Sequence, residues 1–402
     1  MSENKENTPK IRFPGFTDAW EQRRLGELME ISSASRVHKE EWTETGVPFF
    51  RSSDVVSAFK GLENDRAFIS YELFEELSNK SGKVQENDLL VTGGGSIGIP
   101  YKVRNNEPLY FKDADLIWFK NSSLINSDFL YTFLITPVFR RYVGSITHIG
   151  TISHYTIEQA KATPIMMPEI EEQKHISQFF AQLERLITLH QLKLNNAKKL
   201  KAGLLQKMFP KNGEDFPEVR FPGFIDLWEQ RRLGDEVHIT MGQSPNSENY
   251  TENPDDYILV QGNADMKNGK VFPRVWTTQI TKQADKGDLI LSVRAPVGDV
   301  GKTDFDVVLG RGVAGIKGNE FIFQLLGNMK QNGYWTKYST GSTFESINSN
   351  DIKDAEILVP SMDEQKQIGT FFKQLDTLIT LHQRKLKHLQ EQKKTLLKQM
   401  FI

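Results

Sequence analysis

The strongest constraint on this chain is that it is written twice. Arg12-Phe13-Pro14-Gly15-Phe16 returns as Arg220-Phe221-Pro222-Gly223-Phe224, an offset of 220 − 12 = 208. The match continues without a gap, Trp20-Glu21-Gln22-Arg23-Arg24-Leu25-Gly26 against Trp228 to Gly234. Downstream, the stretch from Pro168 to Phe209 has a counterpart from Pro360 to Phe401, an offset of 360 − 168 = 192. There Glu172-Gln173-Lys174 faces Glu364-Gln365-Lys366, and Leu186 to Gln191 faces Leu378 to Gln383. Repeats decide an architecture before any local reading does. Each half is an entry motif, a middle and a tail, and the second middle is shorter by 208 − 192 = 16 residues.

The tails read as long helices. Ile176, Phe180, Leu183, Ile187, His190, Leu194, Ala197, Lys201, Leu204 and Met208 are spaced alternately by four and three. The second tail repeats the pattern from Ile368 through Phe372, Leu375, Ile379, His382, Leu386, Leu389, Lys393 and Leu396 to Met400. That is a heptad seam, the mark of helices packed along their length. Each tail would form roughly 60 Å of helix. An apolar seam of that length needs a partner, and packing of the two tails on each other is the economical expectation; packing on separate cores is the alternative. His190 and His382 share one seam position, as core histidines or as a metal or catalytic pair. Lys201 and Lys393 either lie along the seam edge or set its register. Residues 169–209 carry seven Lys/Arg against four Asp/Glu, and residues 361–402 eight against four.

The middles, residues 27–167 and 235–359, have diverged far more than their flanks. One register survives at an offset of 200, where Asp88-Leu89-Leu90-Val91-Thr92 faces Asp288-Leu289-Ile290-Leu291-Ser292 and Gly98 faces Gly298. Strands are expected at Asp88–Thr92, Leu116–Phe119, Ile258–Val260, Leu289–Val293 and Val307–Leu309. Helices are expected at Asn126–Leu134 and Glu320–Met329. The fold class is α/β or α+β, two versions of one fold with different surfaces.

Composition excludes several classes. No run of 18 or more apolar residues exists for a membrane span. The segment from Met1 to Lys10 lacks the apolar core of a signal peptide. With no cysteine, disulfides and thiolate zinc sites are excluded, which fits a cytoplasmic location. The formal net charge of −2 is low for a nucleic-acid binder, so any such surface must be local.

Two catalytic patterns occur by letter only. Gly93-Gly94-Gly95-Ser96-Ile97-Gly98 matches a dinucleotide fingerprint, and Gly94 to Gly98 a nucleophile elbow. Both chemistries need a helix directly after the turn, whereas Ile99-Pro100-Tyr101-Lys102-Val103 reads as extended chain. No phosphate-binding loop, zinc-type motif or repeated acidic cluster is present, so no catalytic or metal residue is assigned.

The middles do carry groove-reading chemistry. Arginine pairs with guanine, and asparagine or glutamine with adenine, through two hydrogen bonds in the major groove. The first middle offers Arg51, Ser52, Ser53, Thr92, Gly94, Ser96, Arg140, Arg141, His148, Thr151 and His154. The second offers Gln261, Asn263, Ser292, Arg294, Arg311, Thr340, Ser342 and Thr343. These groups are matched in position between the copies but differ in kind, as two readers of different sequences would.

This arrangement resembles the specificity subunits of type I restriction–modification systems over essentially the whole chain. The resemblance rests on several features. Pro168 with Glu172, and Pro360 with Glu364, open the helices. A Gly-Ser/Thr segment lies about twenty residues ahead of each. Arg294-Ala295-Pro296-Val297-Gly298 is followed by Gly310-Arg311-Gly312-Val313-Ala314. The first copy departs from it, with Gly93 to Ser96 where the second has Arg294-Ala295-Pro296. The resemblance implies an entry motif and target-recognition domain at 1–167, a long helix at 168–210, a second entry motif and recognition domain at 211–359 and a second helix at 360–402. It implies two similar recognition domains joined by two long antiparallel coiled-coil helices, a pseudo-two-fold internal repeat. It further implies a non-catalytic, cytoplasmic subunit reading a bipartite site in double-stranded DNA. Two modification subunits using S-adenosylmethionine would methylate adenine, and two restriction subunits using ATP and Mg2+ would translocate and cleave. The alternatives are a duplicated coiled-coil scaffold without DNA binding and a solitary methyltransferase or nuclease.

On this reading the paired helices set the spacer between half-sites, whose centres one DNA turn apart would need about 34–36 Å. Inserting Leu-Asn-Asn-Ala after Ala197 adds about 6 Å of helix and a little over one turn of rotation. The preferred spacer should lengthen by about one or two base pairs with both half-sites unchanged. Genome-wide mapping of methylated sites checks this, and an unchanged spacer in a protein that still methylates would sink it.

Overall fold

The tails form helices over Ile170–Lys207 and Met362–Gln399. A computed structural model describes residues 7–111, 115–147, 154–211, 213–338 and 346–402. The chain divides into two compact units, residues 1–189 with 385–402, and residues 190–384. The expected boundaries at 167/168 and 359/360 therefore do not separate the units; each unit takes half of each long helix.

In the first unit the helix halves run antiparallel. Phe180 contacts Phe401 (ring centroids 6.2 Å apart), while Glu184, one turn later, pairs with Lys393, two turns earlier. The second unit repeats this, with Lys201 Nζ 2.6 Å from Asp376 and Phe209 against Phe372. Offset by 192, Glu184 and Asp376 are the same repeat position, as are Lys201 and Lys393. The two seam lysines are thus ion-paired across the helix pair, and each pair ties together segments far apart in sequence.

The phenylalanine closing each tail is the keystone of a core. Phe401 stacks on Phe129 at 5.4 Å and meets the edge of Trp20 at 6.2 Å in the first unit. Phe209 does the same with Phe321 at 5.4 Å and Trp228 at 6.0 Å in the second. Burying such a ring is worth about 1.5–3 kcal/mol relative to exposure.

The entry motif is held by its strand and its arginine. Glu21–Arg24 pairs antiparallel with Pro164–Met167, and Glu229–Arg232 with Glu356–Val359, so both ends of each middle meet beside the helix start. Glu172, fully buried, accepts two hydrogen bonds of 2.7 Å from Arg12 and one of 3.2 Å from Trp20 Nε1. Glu364, equally buried, accepts 2.6 and 2.7 Å bonds from Arg220. The next residue ties the helix start to the proline before it: Gln173 Nε2 donates to the Pro168 carbonyl at 2.9 Å, and Gln365 Nε2 to that of Pro360 at 3.1 Å.

Each middle contains two sheets and short helices. In the first unit, Ile31–Ser32, Leu116–Phe119, Leu89–Thr92 and Pro100–Lys102 form one antiparallel sheet in that order. Trp42–Thr43, Ala67–Ile69, Val47–Phe50 and Tyr110–Phe111 form the other, its last pair parallel. In the second unit the corresponding sheets have six and five strands. The larger centres on Leu289–Ser292 between Val313–Lys317 and Val300–Lys302; the other places Tyr257–Val260 parallel to Val307–Leu309. Leu89–Thr92 and Leu289–Ser292 are buried throughout, which explains their unbroken apolar runs. The expected helices form at Ser127–Leu134 and Glu320–Gln331, where Asn126 and Asn319 accept hydrogen bonds of 2.9 Å from Phe129 N and Ile322 N. These are N-caps of ordinary geometry.

A buried carboxylate that loses its only cation is costly. Arg12→Ala should destabilise the first unit by about 3–5 kcal/mol, and Arg220→Ala the second. Hydrogen exchange resolved by segment checks this; equal loss of protection in both units after either single change would contradict it.

Candidate nucleic-acid interface

In the second unit the loop after Leu289–Ser292 is closed by local bonds. Ser292 Oγ donates to the Arg294 carbonyl at 2.9 Å, and Gly298 N to the Ser292 carbonyl at 2.9 Å. Val293 N donates to the Gly312 carbonyl at 2.9 Å, which draws the Gly310-Arg311-Gly312 turn alongside. Gly312 must lack a side chain there, because a Cβ would lie 2.0 Å from the Gln261 carbonyl oxygen. Gln261 is placed by Asp265, 4% exposed, whose carboxylate accepts from Gln261 N at 2.8 Å and Gly262 N at 3.3 Å. Arg311 N donates to Ser244 Oγ at 3.1 Å.

These contacts surround an open depression of about 410 Å³ lined by Ser244, Tyr250, Gln261, Asn263, Arg294 and Arg311, with Ser292 at its base. Five residues expected from sequence, Gln261, Asn263, Ser292, Arg294 and Arg311, are brought together here. Arg294 and Arg311 are exposed, and neither guanidinium meets a carboxylate among the described residues. Ser292 is a correction: 1% exposed, with its hydroxyl bonded to Arg294, it shapes the loop and presents little to solvent. Thr340, Ser342 and Thr343 lie outside the described residues, although Ser346 bridges Arg294 through backbone pairing.

Sequence reading missed Tyr250 and Ser244. Tyr250 follows a single turn at Ser247–Asn249 and begins a two-residue strand, too short for any periodicity to mark it.

The first unit arranges its residues differently. Thr92 is fully buried; its hydroxyl donates to the Ser96 carbonyl and accepts from Ile99 N at 2.9 Å, so it is a loop latch and corrects the expectation of an outward group. Gly94 is buried against Asp115, whose carboxyl carbon a Cβ would approach to 2.5 Å, while Ser96 is exposed. Arg140 is half-buried, donates at 2.7 Å to the Ile97 carbonyl and lies 5.9 Å from the Phe139 ring; burial holds its pKa below the usual arginine value. Arg140 therefore braces the loop from beneath, a second correction. Arg141 is exposed, and His154 Nδ1 stands 3.4 Å from Asp115 Oδ1. Thr92, Gly94, Ser96, Arg140 and His154 thus gather around the Gly93–Gly98 loop. A strand, Pro100–Lys102, follows that loop in place of the helix that nucleotide or nucleophile chemistry requires.

Arg51 precedes the helix Ser52–Lys60 and is held at home. Its Nε donates to Asp54 at 2.8 Å, its Nη2 reaches the Asp65 carbonyl, and its guanidinium lies 5.6 Å from the Trp42 ring centre. Ser52 is half-buried and Ser53 exposed. His148 and Thr151 lie outside the described residues.

Residues 17–199 and 225–391 each match the type I restriction modification DNA specificity domain. The chain belongs to that family. It is 31% identical over 250 residues to a putative type I restriction enzyme specificity subunit, MjaX, of Methanocaldococcus jannaschii, covering 60% of this chain and 58% of that protein. A putative specificity subunit of Haemophilus influenzae is 27% identical over 164 residues, 40% of each chain. The chain thus spans about three-fifths and two-fifths of the lengths of these relatives. The MjaVIII specificity subunit of M. jannaschii is 22% identical over 81% of this chain and 80% of its own. Among solved structures, the crystal structure of a type I restriction–modification S subunit from M. genitalium superposes with a TM-score of 0.65 at 16% identity, over 98% of this chain and 99% of that one. That likeness is one of fold.

The geometry separates loop-builders from presented groups. Ser292→Ala removes a buried hydrogen bond and should cost about 1 kcal/mol. Arg294→Ala should leave stability within about 0.5 kcal/mol. Urea unfolding checks both, and a larger loss for Arg294→Ala would make it a structural arginine.

Proposed function

We propose that this chain is the DNA-recognition subunit of a type I restriction–modification complex, each middle reading one part of a bipartite site. The observation that carries the reading is the depression of the second unit. Two exposed arginines without carboxylate partners among the described residues line it together with Gln261 and Asn263, which carry side-chain amides. Guanidinium groups take guanine edges or phosphates, and amides pair with adenine edges. Such chemistry on one local surface answers the net charge of −2, since phosphate attraction needs a basic patch and not a basic chain.

The contrast between flanks and middles supports the same reading. Entry motifs and helices keep the same residues because they make the same buried contacts twice. The middles keep their sheets and vary what stands at the loop ends, as modular readers would.

Partner subunits complete the activity in this proposal. Two modification subunits bring S-adenosylmethionine and methylate adenine; two restriction subunits bring ATP and Mg2+ for translocation and cleavage. In this reading the chain itself supplies recognition, and the chemistry belongs to the partners. No helix among the described residues is long and apolar enough to cross a membrane. As part of the same proposal, the complex would work on cytoplasmic DNA.

Replacing residues 235–359 with the corresponding segment of another family member should change one half of the recognised site and leave the other intact. Methylation mapping of the assembled complex checks it; a change in both halves would reject separable readers. The purified chain alone should neither methylate nor cut, and failure of the complex to prefer any sequence would favour a scaffold.

A further inference from the structure

The depression of the second unit holds a side chain prepared to read a base. Gln261 Nε2 donates a 2.9 Å hydrogen bond to the Tyr250 hydroxyl. Its amide makes no other hydrogen bond among the described residues. One N–H and the carbonyl oxygen are left, a donor beside an acceptor. That is the complement of adenine in the major groove, which offers the N7 acceptor beside the N6 donor. The backbone is held as firmly: Asp265 grips Gln261 N and Gly262 N, and Gly312 packs on the Gln261 carbonyl.

The first unit shows that this mounting belongs to the fold. Arg51 directly follows Val47–Phe50, as Gln261 follows Tyr257–Val260, and both strands have a parallel neighbour, Tyr110–Phe111 and Val307–Leu309. Asp54 accepts from Arg51 N at 2.8 Å, as Asp265 does from Gln261 N. Trp42 begins a two-residue strand after a short turn, as Tyr250 does, and each aromatic touches the side chain in question. The same bracket therefore exists twice, a carboxylate on the backbone and an aromatic on the side chain. In the first unit the guanidinium is engaged by Asp54 and Asp65. In the second, Gln261 lines the depression together with Arg294 and Arg311.

We infer that Gln261 reads one adenine in the half-site of the second unit, and that Tyr250 is its positioning residue, fixing which end of the amide faces the base. The inference rests on the DNA-reading function proposed above. A glutamine left free would have to order its rotamers on binding; one tethered beforehand loses less freedom and discriminates better.

The test uses the chain assembled with its modification subunits, S-adenosylmethionine and a DNA library randomised across both half-sites, read by methylation sequencing. Gln261→Ala should reduce discrimination at one A·T pair about 10–100-fold, leaving the other half-site and the spacer as they were. Tyr250→Phe, which keeps the ring and removes the hydroxyl, should keep adenine as the preferred base with severalfold weaker discrimination at that same position. Thermal unfolding of each variant accompanies the sequencing, and if Gln261→Ala does not fold, Tyr250→Phe decides. Undiminished discrimination at every position in a folded Gln261→Ala complex, or in Tyr250→Phe, overturns the inference while the DNA-reading function stands. A wild-type complex without any sequence preference would overturn that function itself.

Discussion

A carboxylate with no exposed surface sits at the start of each long helix, and much of the structure follows from what it needs. Removing a carboxylate from water costs several kcal/mol unless a cation and further donors meet it. Glu172 and Glu364 are met by Arg12 and Arg220, each through two bonds of the short, charge-assisted kind. The arginine lies more than a hundred residues before its glutamate, so satisfying the carboxylate folds the entry motif onto the helix. The strand after that motif then pairs with the last strand of the middle, and the middle is anchored at both ends beside one helix. A domain held in this way can change its loops without disturbing its attachment.

The long helices extend the same economy. Lys201 with Asp376, and Lys393 with Glu184, use one pair of repeat positions twice. His190 and His382 meet across the seam with Nδ1 atoms 3.1 Å apart. Phe401 and Phe209 complete the cores of their units in equivalent aromatic settings. The repeat in sequence is therefore a repeat of contacts, which is why flanks and tails resemble each other so closely.

Polar side chains in the middles fall into two groups by what they already bond to. Thr92, Ser292, Arg140 and Arg51 satisfy loop carbonyls and carboxylates, and the loops depend on them. Arg294, Arg311, Asn263 and the remaining half of the Gln261 amide are presented toward the depression. An N–H or O–H hydrogen already engaged internally must give up that bond before it can bind anything else, so the groups with hydrogens and lone pairs still open are the ones suited to recognition.

Local pattern and repetition made much of this legible in the sequence. The duplication, the heptad tails, the buried runs at Leu89–Thr92 and Leu289–Ser292 and the capped helices at Asn126 and Asn319 all depend on neighbours a few residues apart. Residue type alone singled out Gln261, Asn263, Arg294 and Arg311 as candidates; that they line one depression was decided by the tertiary structure. Tertiary structure decided which of the candidates are engaged. No spacing rule distinguishes Arg140, braced beneath a loop, from Arg294, which stands exposed, and none pairs Tyr250 with Gln261. Those outcomes depend on strands brought together from distant parts of the chain. Likewise, the helical period established the tails by itself. Which half of each helix completes which core was decided by where two buried phenylalanines find aromatic partners.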